Sequence, residues 1–331
     1  MKLAVIGGGS WGTALAIVLA PRSESVGLWV YEADLARAMQ STRENSTFLP
    51  GFQLPPQIQP TSDLAHALTD ADIVLGVMPS RHASGLYRRM LPNLKSHMIF
   101  VSATKGIEVS TLSRISEVMR DAISPSFAPQ IAVLSGPSFA REVARGDPTA
   151  VVIASQDPKV ATSVQSAFYG PTFRLYTNQD PVGVEVGAAL KNVIAICSGI
   201  CIGLGLGSNT QAALITRGLA EITRLAVAMG GQPQTLAGLA GLGDLVLTCT
   251  GGLSRNRQVG IDLAAGKSLA EITSSTPMIA EGVVTCDAAV RLGHKFHADL
   301  PITQQMHAVL HASKTPQAAL RELMDRSLKS E

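Results

Sequence analysis

The sequence predicts an α/β protein in which a doubly wound, mostly parallel sheet is followed by an all-α C-terminal domain. Three observations carry that prediction. Through the first 180 residues, short β-branched or apolar runs alternate with helical stretches, as in parallel strands joined by crossover helices. After about Pro181 the strand signal stops, and apolar residues recur at helical spacing to the C-terminus. A glycine-rich turn, Gly7-Gly8-Gly9-Ser10-Trp11-Gly12, separates the first strand from the first helix. With 331 residues, the chain is about twice the length of a common domain of roughly 150, so we expect two domains, 1–180 and 181–331.

In chain order, Lys2 to Ile6, Ser25 to Tyr31, Asp72 to Val77, Met98 to Ser102 and Ile131 to Leu134 are the clearest strands. Between them, Leu35 to Gln40, Leu64 to Leu68, Ala83 to Met90 and Leu112 to Ala122 read as helix. Thr149 to Ala154 and Phe173 to Tyr176 extend the sheet. In the second part, Leu214, Ile215, Leu219, Ile222, Leu225, Ala226 and Met229 fall three or four apart, and Gly230-Gly231 with Pro233 supply the stop. The last helix starts at Thr315-Pro316, a cap followed by a first-turn proline.

Composition excludes several classes. Hydrophobic residues make up 46% of the chain, which rules out disorder as the main state. The net charge is +2, from 27 basic and 25 acidic residues, and so lacks the field that nucleic-acid binders carry. Any anionic ligand must be met by a local site. The low charged share, 16%, hints at self-association, with a homodimer as one possibility. Cys197, Cys201, Cys249 and Cys286 are too few and too scattered for a disulfide scaffold, and a reducing cytoplasm is the simplest home. No metal is expected. Cys197 and Cys201 share a helix face without a second ligand pair, and His307 and His311 lack the glutamate of a zincin motif, so they read as exposed helix positions. Met1 to Ala20 resembles a secretory leader, but the glycine turn breaks its apolar core. Val186 to Gly207 is apolar enough to suggest a membrane span. It carries Lys191 and five glycines and has no flanking basic cluster, so a helix buried in protein is expected and no membrane insertion.

The glycine turn fits G-x-G-x-x-G after a strand and before a helix, which predicts a Rossmann-type dinucleotide site for NAD or NADP. Gly7 allows the tight turn, Gly9 lets the backbone approach a pyrophosphate, and Gly12 permits close helix packing. The helix N-terminus then presents free N–H groups to the phosphates. Glu32 stands 20 residues after Gly12, where an acid binds a ribose hydroxyl and favours NAD. A solvated turn residue is the alternative, so cofactor choice stays open. Met78-Pro79-Ser80, Ala103-Thr104-Lys105-Gly106 and Ser135-Gly136-Pro137-Ser138 each follow a predicted strand, at the sheet edge where ligands bind.

Lys191 lies among Gly187, Leu190, Ile194 and Ala195 at helical spacing. Burial lowers a lysine pKa and makes the ammonium a usable proton donor near neutral pH. Reduction of a carbonyl by hydride needs such a donor, although a lysine reaching out to water along its stem is also common. Asp244, set among glycines and aliphatics, needs a partner, and Lys191 is the natural one; a helix cap is the alternative. Ser254 can cap a helix whose first turn carries Arg255 and Asn256, a plausible phosphate seat.

Taken together, GGGSWGTALA, ATKG, SGPSFA, LKNVIAI, ITRGLAE, GLAGLGDLVLTCT, SRNR and AEG resemble, in that order and over nearly the whole chain, the bacterial NAD(P)-dependent glycerol-3-phosphate dehydrogenases. The resemblance implies interconversion of dihydroxyacetone phosphate and sn-glycerol 3-phosphate, usually feeding phospholipid synthesis. It makes Lys191 the proton donor or acceptor, with Asp244 and Asn192 around it. It assigns Lys105, Gly136, Ser138, Ser254, Arg255 and Asn256 to the phosphate substrate, and Ser10, Trp11, Lys105, Ala140, Arg255, Ile279 and Glu281 to the cofactor. The nicotinamide is expected between the two domains. Tyr31 stands where many NADP-using relatives have Arg or His, Ile279 is often Val, and Val283 to Cys286 departs from the usual pattern. Competing readings are a reductase of a hydroxy acid that lacks phosphate and a redox-sensing module without chemistry.

Overall fold

The structure, a computed structural model, describes residues 1–274 and 280–327. The chain divides into two compact units. One takes Met1–Glu108 and Ser113–Glu185; the other takes Val109–Leu112 and the chain from Val186 onward.

In the first unit, β1 (Lys2–Ile6), β2 (Ser25–Trp29), β3 (Ile58–Thr61), β4 (Ile73–Gly76), β5 (Ile99–Ser102), β6 (Gln130–Ser135), β7 (Thr149–Ala154) and β8 (Phe173–Asn178) form one sheet. Their order is β3-β2-β1-β4-β5-β6-β7-β8. The chain therefore reverses its winding at β1, with β2 on one side and β4 on the other, the switch point of a doubly wound fold. Ile6 lies opposite both Trp29 and Gly76, so three strands end at one level.

Helices α1 (Ser10–Leu19), α2 (Ala33–Thr42), α3 (Leu64–Leu68), α4 (Ala83–Met90), α5 (Ile115–Ile123), α6 (Ala140–Arg145) and α7 (Pro158–Phe168) complete this unit. Side chains of β1 alternate between its two faces, as the strand period requires. Leu3 and Val5 pack with Ala14 and Leu15 of α1, while Ala4 and Ile6 pack with Leu86 and Tyr87 of α4. Burying both faces explains why these strands read as continuous apolar runs.

Two features add to the sequence reading and one corrects it. β7 runs antiparallel to β6, with Val133 opposite Ala154. The intervening α6 has 6 residues, about 9 Å of helix, too short to carry the chain back along about 20 Å of β6. β3 was not expected, because it contains Pro60, which cannot donate to a ladder; it is tolerated at the sheet edge. The helix expected from Leu112 begins at Ile115. Leu112 has φ +61°, and Ser113–Arg114 pairs antiparallel with Ile107–Glu108.

The second unit is helical. α8 (Pro181–Gly203) enters it at Val186 and is followed by α9 (Ser208–Ala228), α10 (Pro233–Leu236), a π-helical turn at Leu239–Gly243, α11 (Asp244–Thr250), α12 (Arg255–Ala264) and α13 (Leu269–Ser274). α14 (Glu281–Lys295), α15 (Pro301–His311) and α16 (Pro316–Met324) complete it. α8 is long and apolar enough to cross a membrane by length and composition, and 83% of its most apolar window is buried inside the protein. Val193, Ile196 and Ile200 of α8 pack with Val259 and Leu263 of α12 and with Met306 and Leu310 of α15. Thr315 caps α16 by accepting from the Ala318 N–H at 3.2 Å. Glu221 of α9, 2% exposed, accepts from the backbone N–H groups of Ile302 and Thr303 and so caps α15 from outside.

The four cysteines are free. Burial pushes the Cys249 and Cys286 thiols up to about 12, which keeps them as unreactive thiols. His311 is exposed as expected, but His307 is half-buried, with Nε2 3.5 Å from Asp287 Oδ1. Among the described residues, no group of three or more His, Cys, Asp or Glu side chains gathers as a metal site.

Candidate active site

In the sheet unit, the turn after β1 has the shape a dinucleotide needs. Gly7 has φ +133°, a conformation that favours glycine, and a Cβ there would overlap the Val77 carbonyl. A Cβ on Gly12 would overlap the Gly7 carbonyl, whereas one on Gly9 would meet nothing within 4 Å. The helix thus sits tight against the turn while the turn's outer side stays open. Gly9 caps α1 with no side-chain acceptor, and the first-turn N–H groups from Ser10 onward have no intrahelical acceptor. The indole N–H of Trp11 is buried without a hydrogen-bond partner among the described residues. A pyrophosphate fits this cradle on charge, room and donors.

Lys105 gathers with the neighbouring strand ends. Its Nζ lies 5.9 Å from the centre of the Trp11 ring and donates to the Gly136 carbonyl at 3.3 Å and to Ser138 Oγ at 3.4 Å. Ser138 Oγ in turn donates to the Gly136 carbonyl at 2.9 Å. Ala140 is the first residue of α6, packed against the core beside α1. Tyr31 is 74% exposed, and Glu32 occupies the cap position of α2 without making a side-chain cap. A carboxylate at the end of β2 is therefore presented to solvent rather than spent on its helix.

In the helical unit, Lys191 does not reach out to water: the residue is 4% exposed. Its ammonium pairs with Asp244 Oδ1 and donates to Thr248 Oγ1 at 3.0 Å. Asp244, 1% exposed, is the first residue of α11, and Thr248 sits one turn further on the same face. Thr248 donates to the Asp244 carbonyl at 2.5 Å, which leaves a lone pair of its hydroxyl oxygen aimed at the ammonium. Sequence reasoning missed Thr248; its i+4 spacing from Asp244 was the available signal.

A second polar group lies nearby in sequence. Ser254 caps α12 by accepting from the Arg257 N–H at 3.3 Å, as predicted. Arg255 is exposed on the first turn, with Glu281 as the nearby opposite charge. Asn256 donates to Asn192 Oδ1 at 3.0 Å and accepts from the Gly282 N–H at 2.9 Å. Ile279 lies outside the described residues.

The model of the NAD-dependent glycerol-3-phosphate dehydrogenase N-terminus matches residues 2–161, and that of the C-terminus matches residues 180–321. The chain belongs to this family. Glycerol-3-phosphate dehydrogenase [NAD(P)+] of Koribacter versatilis is 55% identical over 327 residues, covering 98% of this chain and 97% of that protein. The corresponding protein of Geobacter sulfurreducens is 52% identical over 330 residues, covering 100% and 98%. Among solved structures, glycerol-3-phosphate dehydrogenase from Coxiella burnetii superposes with a TM-score of 0.94 at 40% identity, covering 98% of this chain and 99% of that one. A ketopantoate reductase from Ralstonia eutropha, TM-score 0.63 at 16% identity, shares the fold.

Proposed function

We propose that the chain reduces dihydroxyacetone phosphate to sn-glycerol 3-phosphate with NADH or NADPH, reversibly, and that Lys191 is the general acid/base. The observation that carries the reading is the buried ammonium of Lys191 held by Asp244 and Thr248. When bound, the reduced nicotinamide supplies the hydride that adds to the ketone carbon. Lys191 gives a proton to the oxygen of that carbon and takes one back in the reverse direction. Asp244 and Thr248 hold Nζ in place, since a general acid must lie within hydrogen-bond reach of the atom it protonates. Gly7, Gly9, Gly12, Ser10 and Trp11 seat the pyrophosphate, and Glu32 with Tyr31 meets the adenosine ribose. Ala140, Ile279 and Glu281 complete the cofactor contacts.

Arg255 grips the substrate phosphate bidentately, with Ser254 and Asn256 around it, and Lys105, Gly136 and Ser138 are read as further substrate contacts. Binding energy at the phosphate orients the ketone without itself taking part in the chemistry. The sheet unit is read as the dinucleotide-binding domain and the helical unit as the substrate-binding and catalytic domain. Free thiols support a cytoplasmic home, and exposed Val227, Leu242, Val246 and Leu253 support a homodimer, which light scattering tests.

Oxidation of NADH or NADPH by dihydroxyacetone phosphate, followed by nicotinamide absorbance, tests the activity. Arg255→Ala should weaken the phosphate substrate strongly. If it leaves the KM for dihydroxyacetone phosphate unchanged, the phosphate seat is wrong.

A further inference from the structure

Asn256 is the hub of a junction between three helices. The Gly282 N–H can only donate, so Asn256 Oδ1 must face it, which leaves Nδ2 to donate to Asn192 Oδ1. Asn192 is oriented by the same logic, since its Nδ2 donates to the Ala188 carbonyl at 3.4 Å. Both amides therefore have one consistent orientation. Gly282 is the second residue of α14, where the N–H lacks an intrahelical acceptor. The residue at the cap position, Ala280, has no side chain that accepts, and no local side-chain cap forms. The acceptor comes instead from α12: Asn256 caps α14 from another helix. Contact is also close, because a Cβ on Gly282 would stand 2.6 Å from the Asn192 carbonyl oxygen and 2.7 Å from Asn256 Oδ1. Any side chain at 282 would push α14 away from α8.

We propose that Asn256 and Gly282 are positioning residues that lock the first turn of α14, and with it Glu281, against α8 at the residue next to Lys191. This rests on the reading of Glu281 as a cofactor contact. It gives Asn256 a role that does not depend on substrate: through Gly282 it sets the affinity for the cofactor. An asparagine that served only the substrate phosphate would leave cofactor binding alone.

The test is the dissociation constant of NADH and of NADPH, each without substrate, for the wild type, Asn256→Ala, Asn256→Asp, Gly282→Ala and Glu281→Ala. Loss of a helix cap corresponds to about a fivefold change in an equilibrium constant, so Asn256→Ala should weaken the preferred cofactor by about that factor. Asn256→Asp keeps an acceptor for the Gly282 N–H but loses the donor to Asn192 Oδ1, so it should weaken the cofactor less than Asn256→Ala does. Amide exchange at Gly282 and Val283 should speed up in Asn256→Ala and not in Asn256→Asp, while the melting temperature of the core changes little. Should Gly282→Ala fail to fold, the two Asn256 variants still decide. Cofactor affinity unchanged in Asn256→Ala but weakened in Glu281→Ala overturns the proposal. Affinity unchanged in Glu281→Ala overturns the reading of Glu281, and the proposal with it.

Discussion

Replacing Lys191 by methionine removes the ammonium while keeping most of the stem's volume. Asp244, 1% exposed, then loses the charge with which it is paired. Breaking a buried ion pair by removing one partner destabilises by about 3–5 kcal/mol. Thr248 Oγ1 lies 3.5 Å from Asp244 Oδ1 and can turn to donate to it, recovering about 1 kcal/mol. The expected net loss is about 2–4 kcal/mol, a large part of the roughly 5–15 kcal/mol that holds a domain together. Turnover should fall by a factor of about 10² to 10⁴, the range for losing a general acid. The two effects separate in Lys191→Met/Asp244→Asn, where no buried charge is left unpaired. That double variant should regain most of the stability and none of the turnover. Urea unfolding reads the first quantity, and steady-state reduction of dihydroxyacetone phosphate reads the second. A folded Lys191→Met enzyme turning over within about tenfold of the wild type would refute the role of Lys191.

Three further outcomes are expected. Burial pushes the Glu221 carboxyl from 4.5 to about 7, against the N–H groups of Ile302 and Thr303, the Thr303 hydroxyl and the field of Arg224, all of which favour the anion. The folded state therefore binds this proton more tightly than the unfolded chain, so the stabilisation is complete below about pH 4.5 and is lost as pH rises through about 7. The gap between 4.5 and about 7 corresponds to about 3 kcal/mol, so the urea stability of the wild type relative to Glu221→Gln should fall by up to that amount as pH rises across this window; parallel curves would show that Glu221 does not titrate there. Glu32→Ala should reduce the preference for NADH over NADPH, measured as the ratio of kcat/KM values, and an unchanged ratio removes Glu32 from the ribose site. Ser254→Ala should destabilise the start of α12 by about 1 kcal/mol and raise the KM for dihydroxyacetone phosphate, because Arg255 and Asn256 ride on that turn; a KM that stays put would detach the cap from substrate binding.

Local chemistry made much of this protein legible. Strands β1, β4 and β5 read directly from apolar runs because both faces are covered, and the caps Ser254 and Thr315 read directly because a helix start needs a side-chain acceptor. Lys191 stood out as an ammonium-bearing side chain among aliphatics at helical spacing, and Asp244 as an acid that needs a partner in an equally apolar setting, but only the structure decided that the lysine is buried and does not reach out to water. Thr248 was missed because a threonine on a helix is usually unremarkable, and its hydroxyl gains meaning only from the ammonium it faces.

The sequence by itself determined the class of fold, the glycine cradle after β1, and the residue types that a hydride-transfer site requires. Periodicity, capping and turn chemistry act over a few residues, so they survive in the order of the letters. Only the tertiary structure decided that β7 runs against β6, that Glu221 caps α15, and that Asn256 holds α14 through Gly282 while touching Asn192. These contacts join residues far apart in the chain, and close packing of whole helices and strands, not any local preference, brings them within reach.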